Sequence, residues 1–512
     1  MLSRVQTVGL DGIQAVSVEV EVDFSAGLPT LGIVGLPEGA VREAKDRVRA
    51  ALNNSGYHLP AKRIIINLAP AHLPKGGSSY DLPMAIGLLG AMGKLPGECL
   101  SGCLFFGELS LDGRLRGVPG VLPAALFARK NGFPRMVVAA ENGSEAALTP
   151  DLSVFTPPTL GDLVKHLLGE TVLAPLAATD WLGWKEEAQG EIPDLAEIKG
   201  QEYAKRALEI AAAGGHNMLM TGPPGSGKTF LARALAGILP EMSLEEALEV
   251  TAIHSVAGRL SPSRPFVATR PFRSPHHTAS KNSLVGGGGH PHPGEVSLAH
   301  KGVLFLDEIP EFSRTVLEVL REPLESGEAH ISRTSYSARF PADFQLLAAC
   351  NPCPCGHLGN GLRPCRCAPA QVIGYQSRLS GPLLDRIDLH VDVPPVPTDV
   401  LVELPSGEAS AKVRDRVLRA RGLQYGRNGM GIRNAALNGK ALQSHADVTG
   451  SARQLLLDAG RKLGFSARAH SRLLRVARTI ADLAGTADIG MEHMGEAIQL
   501  RVGSGTWGGI VQ

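Results

Sequence analysis

Polar and apolar residues alternate early in the chain. Val16, Val18, Val20 and Val22 recur at every second position, the period of a strand with one buried face. A helical pattern follows in GAVREAKDRVRAALNNSG, then the β-like runs RIIINLAP and RMVVAA. Between these two runs lies LPMAIGLLGAMG, which is too short to cross a bilayer and reads as a buried helix. No run of about eighteen uninterrupted apolar residues occurs elsewhere, so no membrane partner is expected. Residues 1–168 therefore form a first unit of mixed strands and helices. Periodicity is lost in TVLAPLAATDWLGWKEEAQGEIPD, which predicts a linker over 169–195. Over 196–395 apolar strands alternate with helices and Gly-rich turns, the pattern of a parallel α/β sheet. Helical periodicity dominates 396–503, and VGSGTWGGIVQ predicts a frayed tail over 504–512. The expected fold class is thus a multi-domain α/β protein with a helical C-terminal part.

Composition narrows this modestly. At 512 residues the chain is too long for one core, and sixty glycines with thirty-six prolines imply many loops. The formal net charge is +1, so there is no overall polybasic signature. Nucleic-acid binding would have to come from local patches, multiplied by oligomerisation. The start lacks the charged-then-apolar layout of a signal peptide, and few cysteines lie outside one cluster; a reducing cytoplasm is the expected location.

The strongest chemical signal is HNMLMTGPPGSGKTFLARALAGIL. A short apolar strand runs into Gly222, Pro223, Pro224, Gly225, Ser226, Gly227, Lys228 and Thr229, and then into an amphipathic helix. Backbone N–H groups of such a loop surround phosphate oxygens, and the helix N-terminus favours their charge. Lys228 is expected to reach the β- and γ-phosphates of ATP, and Thr229 to ligate Mg²⁺. In GVLFLDE a buried strand ends in two carboxylates: Asp307 suits the Mg²⁺ shell and Glu308 the activation of water. FQLLAACNP ends a further strand at Asn351, whose amide suits orientation of that water. In LSGPLLDRIDLHVDV, Arg386 suits a ring ATPase in which an arginine crosses to the neighbour's γ-phosphate; a local pair with Asp385 or Asp388 is the alternative. Arg378 is a weaker candidate for the same role. Arg468 opens a C-terminal helix and either closes over the phosphates or is a solvated helix arginine.

Five of the seven cysteines fall between Cys350 and Cys367. Cys350 ends a strand and reads as core. Cys353, Cys355, Cys365 and Cys367 form a C-x-C-x₉-C-x-C arrangement, which can place four thiolates around one structural Zn²⁺. His357 is a replacement ligand within reach, and a redox switch is the alternative.

The order of these motifs resembles that of the AAA+ ATPases. GEVSLAHKGVLFLDEIPEF followed by LREPLESGEAHISR resembles the branch holding magnesium-chelatase motor subunits, MCM helicases and enhancer-binding activators. That likeness implies an insertion in the second helix over 255–300 and a β-hairpin over 329–345. LPTLGIVGLPEGAVREAKDRVRAAL, IKGQEYAKRALEIAAAGGHNMLMTGPPGSGKT, RPFRSPHHTAS and VARTIADL extend the resemblance over the whole length to the magnesium-chelatase-like family called YifB or ComM. This implies a homohexameric ATPase, with DNA branch migration in natural transformation as its role. A chelatase-type motor acting on a metal-insertion or protein client is the second reading.

HLPKGGSSYDLPMAIGLLGAM resembles the Lon-protease segment that presents the catalytic serine, at Ser79 here. GELSLDGRLRGVPGVLPAALFARKNGF resembles the segment that supplies the lysine, but Leu122 occupies that position. Serine attack needs a base, so an S5-type fold without proteolysis is expected, with Lys75 the one substitute base to consider. DNA contacts are expected at Arg270, Arg273, His276, His277 and Lys281, and at Arg333 and Arg339 near the hairpin; by the resemblance these loops face the ring's pore. Solvated loop charges are the alternative. The glycines at 286–289 suit a moving loop or a passive connector.

Overall fold

The alternating valines lie on the strand Gln14–Ser25, where Val18, Val20 and Val22 are sealed from solvent. The computed structural model of the chain describes residues 2–181, 183, 192–288, 291–333, 336–359, 363–396 and 405–502. Gln14–Ser25 pairs antiparallel with Ser3–Asp11 through a tight turn at Gly12, whose φ is +61°. The front sheet has seven strands, in the order Thr30–Val34, Arg63–Ala69, Gln14–Ser25, Ser3–Asp11, Cys103–Phe105, Arg135–Val137, Ser153–Phe155. Helix Gly39–Asn54 buries Val41, Ala44, Val48, Ala51 and Leu52, the spacing of one helical face. Every residue of Asp81–Ala91 is buried, as its unbroken apolar run requires. Among the described residues no helix is long and apolar enough to cross a membrane.

The second sheet is parallel, in the order Phe272–Arg273, Val303–Leu306, Gln345–Cys350, Met218–Thr221, Leu389–Asp392. Its three central strands are buried throughout, as expected of a sheet covered on both faces. The helices Ser410–Asn428, Ala467–Ala484 and Met491–Val502 pack on one face, sharing an apolar cluster with Met218, Phe305 and Leu347. Two expectations need adjustment. The segment 255–300 is not all insertion: it contributes the edge strand Phe272–Arg273, held in the sheet by stacking of Phe272 on Phe305 at 5.9 Å. The hairpin is Glu328–Arg333 with Tyr336–Pro341, ending at a proline that cannot extend the ladder.

The front unit is docked on the ATPase-like core through two apolar clusters. Leu122 and Leu148 pack with Met242, Val250 and Phe266. Leu10 and Ile13 pack with Val256, Ile331, Ala338 and Phe340, so the first turn of the chain rests on the hairpin. Between these clusters the buried Glu145 accepts from Ser255 Oγ and from Leu122 N, the latter at 2.8 Å.

Candidate nucleotide site

Strand Met218–Thr221 ends where the chain turns back on itself. A Cβ at position 222 would stand 2.2 Å from the Val393 carbonyl oxygen, so only glycine fits. Gly225 and Gly227 have φ of +78° and +87°, which presents successive N–H groups at the start of helix Lys228–Ile238. Lys228 Nζ donates to the carbonyls of Gly222 and Pro223 at 2.7 and 2.9 Å and lies 3.4 Å from Asn351 Oδ1. Burial pulls Lys228 below the ordinary lysine value, while nearby charges, Asp307 and Glu308 among them, act in the opposite sense. Thr229 Oγ1 donates to Asp307 Oδ2 at 3.0 Å, which puts the two expected Mg²⁺ ligands side by side. Glu308 follows with a left-handed backbone, φ +48°, and Asp307 Oδ1 accepts its N–H at 3.0 Å. Lys228, Thr229, Asp307, Glu308 and Asn351 thus gather at the C-terminal end of the parallel strands, where open α/β sheets bind ligands.

The arginines stand elsewhere. Strand Leu389–Asp392 runs in register with the P-loop strand, Met218 opposite Leu389 and Thr221 opposite Asp392. Arg386 precedes Leu389 and so belongs to the opposite end of the sheet. There its carbonyl accepts from Asn217 Nδ2 at 3.0 Å. Its guanidinium is buried, donating to the Pro382 carbonyl at 2.6 Å and pairing with Glu325. Neither Asp385 nor Asp388 is its partner: Asp388 bonds Arg472 at 2.5 Å, and Asp385 lies 3.7 Å from Arg501. Burial lowers the Arg386 pKa. Arg468 stands one turn before Arg472 on helix Ala467–Ala484, and Arg472 bonds Asp388, so Arg468 lies on the Arg386 side. Arg378 is held within its own chain by Glu311 at 2.7 Å.

With this geometry in view, comparison with known proteins is informative. Family models for the magnesium chelatase subunit ChlI match residues 194–401, for subunit ChlI of Mg-chelatase 20–142, and for the ChlI C-terminal region 407–501. YifB of Salmonella typhimurium is 47% identical over 98% of this chain and 97% of the relative. The competence protein ComM of Haemophilus influenzae is 48% identical over 96% of this chain and 95% of the relative. The chain belongs to the magnesium-chelatase-like YifB/ComM family. The magnesium-chelatase 38 kDa subunit of Rhodobacter capsulatus is a more distant relative, 28% identical over 58% of this chain and 83% of its own. Membership implies an AAA+ ATPase that uses ATP and Mg²⁺, and the residues around Lys228 fit both.

The cysteine cluster of this family member is assembled. The sulfurs of Cys353, Cys355, Cys365 and Cys367 lie within 4.8 Å of one another, with separations of 3.5, 3.7 and 3.6 Å among the first three. Tetrahedral Zn–S bonds of about 2.3 Å give S···S edges of about 3.8 Å, so the four thiols fit Zn²⁺. Leu358 N donates to Cys353 Sγ at 3.4 Å and Cys367 N to Cys365 Sγ at 3.5 Å, contacts that favour thiolates. His357 is not one of the four. Cys350 stays in the core, its thiol pushed up to about 12 by burial, and all seven cysteines are free.

The expected DNA residues are dispersed, and two of them are engaged within the chain. Arg270 donates to the Pro240 and Lys301 carbonyls and to Glu246, and Arg273 makes a two-point pair with Glu295 at 2.7 and 2.9 Å. These acceptors tie both side chains to their own loop, Arg270 largely buried and Arg273 half-buried. His277 Nδ1 lies 3.9 Å from Glu308 Oε2, beside the nucleotide site, and its ring is tilted against that of the exposed His276, the centroids 4.1 Å apart. Its place just beyond the edge strand, at the same end of the sheet as Glu308, comes from a strand that the sequence did not reveal. Lys281 and Arg339 are exposed, and the side chain of Arg333 lies outside the described residues.

In the front unit, Leu122 is sealed under the ATPase helix Leu244–Val256. Lys75 is fully buried, its pKa lowered by burial, and its Nζ donates to the Pro70 carbonyl.

Proposed function

We propose that the chain is an ATP-driven ring motor, homohexameric, that translocates on single-stranded or branched DNA and promotes branch migration during natural transformation. The observation that carries this reading is the separation of Arg386 and Arg468 from their own phosphate loop by the length of a sheet strand. A strand rises about 3.3 Å per residue, so neither arginine reaches its own γ-phosphate. A neighbouring subunit must supply them, and a closed ring meets that need at every site. The name of the Haemophilus relative, competence protein ComM, supports the DNA role. Arg270, Arg273, His276, His277, Lys281, Arg333 and Arg339 are the candidate phosphate contacts, with Lys281 and Arg339 exposed. The front unit is a Lon-like domain that serves assembly: with Leu122 buried against the core, Ser79 has no base from that position. The four cysteines hold a structural Zn²⁺ in a cytoplasmic, reducing setting.

The test is the ATPase rate with and without single-stranded or junction DNA, with strand exchange on a four-way junction. Stimulation and exchange are expected. No stimulation, and no DNA binding at low salt, would sink the motor reading. Activity on a protein client instead would favour the second reading, a chelatase-type remodeller, which the 28% identity to a chelatase subunit supports.

A further inference from the structure

The chain from Asn351 to Ala368 contains turns and extended backbone but no helix or strand among its described residues. Yet it leans on the phosphate loop. Cys350 O accepts from Gly222 N at 3.1 Å, joining the sensor strand to the first P-loop residue. Asn351 Oδ1 lies 3.4 Å from Lys228 Nζ. Gly356 adopts φ +78°, and a Cβ there would stand 2.5 Å from Cδ and 2.9 Å from Cγ of Pro224. The backbone of the cysteine loop therefore lies directly on the P-loop proline. The turn that brings it there is closed by Gly356 N donating to Cys353 O at 2.9 Å, and Cys353 is fully buried. Gln376 Nε2 holds Pro352 O at 3.3 Å from the far side. A segment without a hydrogen-bonded ladder needs another source of order, and four converging thiols supply the ligands for one.

We propose that a Zn²⁺ bound by Cys353, Cys355, Cys365 and Cys367 sets the affinity of the phosphate loop for ATP, through the contact of Gly356 with Pro224 and the tie from Asn351 to Lys228. This rests on the nucleotide-site and zinc readings above and adds a direction: metal occupancy acts before hydrolysis. With the metal bound, the loop backs the phosphate loop in its cradle shape. Without it, ordering that backing is charged to nucleotide binding, which weakens.

The experiment uses the full chain, with zinc analysis alongside titration of a fluorescent ATP analogue in Mg²⁺. One zinc per chain is expected. Removing it with a chelator should weaken analogue binding about tenfold, and adding Zn²⁺ back should restore it. Gly356→Val keeps all four thiols but places a side chain against Pro224; it should retain zinc and still lose affinity to a similar degree. Two results overturn the proposal: no zinc at stoichiometric level, or an unchanged Kd in both the stripped protein and Gly356→Val. Lys228→Ala separates this failure from that of the underlying reading. If it binds the analogue as well as the parent does, the nucleotide site itself is misassigned.

Discussion

Lys228 and Glu308 sit in one cluster but have separable tasks. Lys228 is held among loop carbonyls where phosphate oxygens are expected, so Lys228→Ala should abolish ATP turnover and weaken nucleotide binding. Glu308 turns its carboxylate toward His277, 3.9 Å away, and is the candidate general base. Glu308→Gln should therefore still bind ATP while hydrolysis falls by about 10²–10⁴-fold, measured as phosphate release against analogue binding. Normal hydrolysis in that variant would show the base is misassigned. A second residue-scale expectation concerns Asp81, fully buried against Arg47, whose Nε and Nη2 donate to it at 2.8 and 3.0 Å. Burial raises its pKa to about 6 even so. The folded chain thus holds this proton more tightly than the unfolded one. The associated stability is complete below about pH 4 and lost as pH rises through about 6, a swing of at most about 3 kcal/mol. Subtracting the melting curve of Asp81→Asn from that of the parent across this range should reveal it; parallel curves would refute it.

At the scale of elements, legibility followed locality. The phosphate loop, the Asp-Glu strand and the Asn strand could be read from sequence because each is a short apolar run ending in its own chemistry. In the fold Lys228 meets Asn351 and Thr229 meets Asp307. Partners distant in the chain could not be read. Glu325 as the mate of Arg386, the Glu145–Ser255 bond and the contact of Gly356 with Pro224 each join segments whose spacing carries no period. The intrachain partners of Arg270 and Arg273 were hidden for the same reason, since a basic tetrad in a loop looks alike whether or not the protein's own carbonyls and carboxylates engage it. The turn at Gly12 offers an element-scale test. A Cβ there would stand 2.7 Å from the Arg339 carbonyl, and φ is +61°. Gly12→Val should cost about 1–3 kcal/mol and loosen the front sheet from the hairpin, visible as faster proteolysis between them; unchanged cleavage and melting would count against the docking.

For the whole molecule, the arginines predict complementation. In the proposed ring, Arg386→Ala chains lack the arginine and Lys228→Ala chains lack the lysine, and each variant alone should be inactive. In mixed rings an intact P-loop from the first can face an intact Arg386 from the second. Part of the ATPase activity should return on mixing; none would argue that Arg386 works within its own chain. The docked front unit has a practical corollary. Leu122 and Leu148 cover Met242, Val250 and Phe266, while Leu10 and Ile13 cover Val256 and Phe340. Cutting the gene after the linker would therefore strip two oily faces bare on the motor half. The severed ATPase should be recovered as aggregate or bound to chaperones, and the textual seam between the two halves is not a place where the protein can be divided.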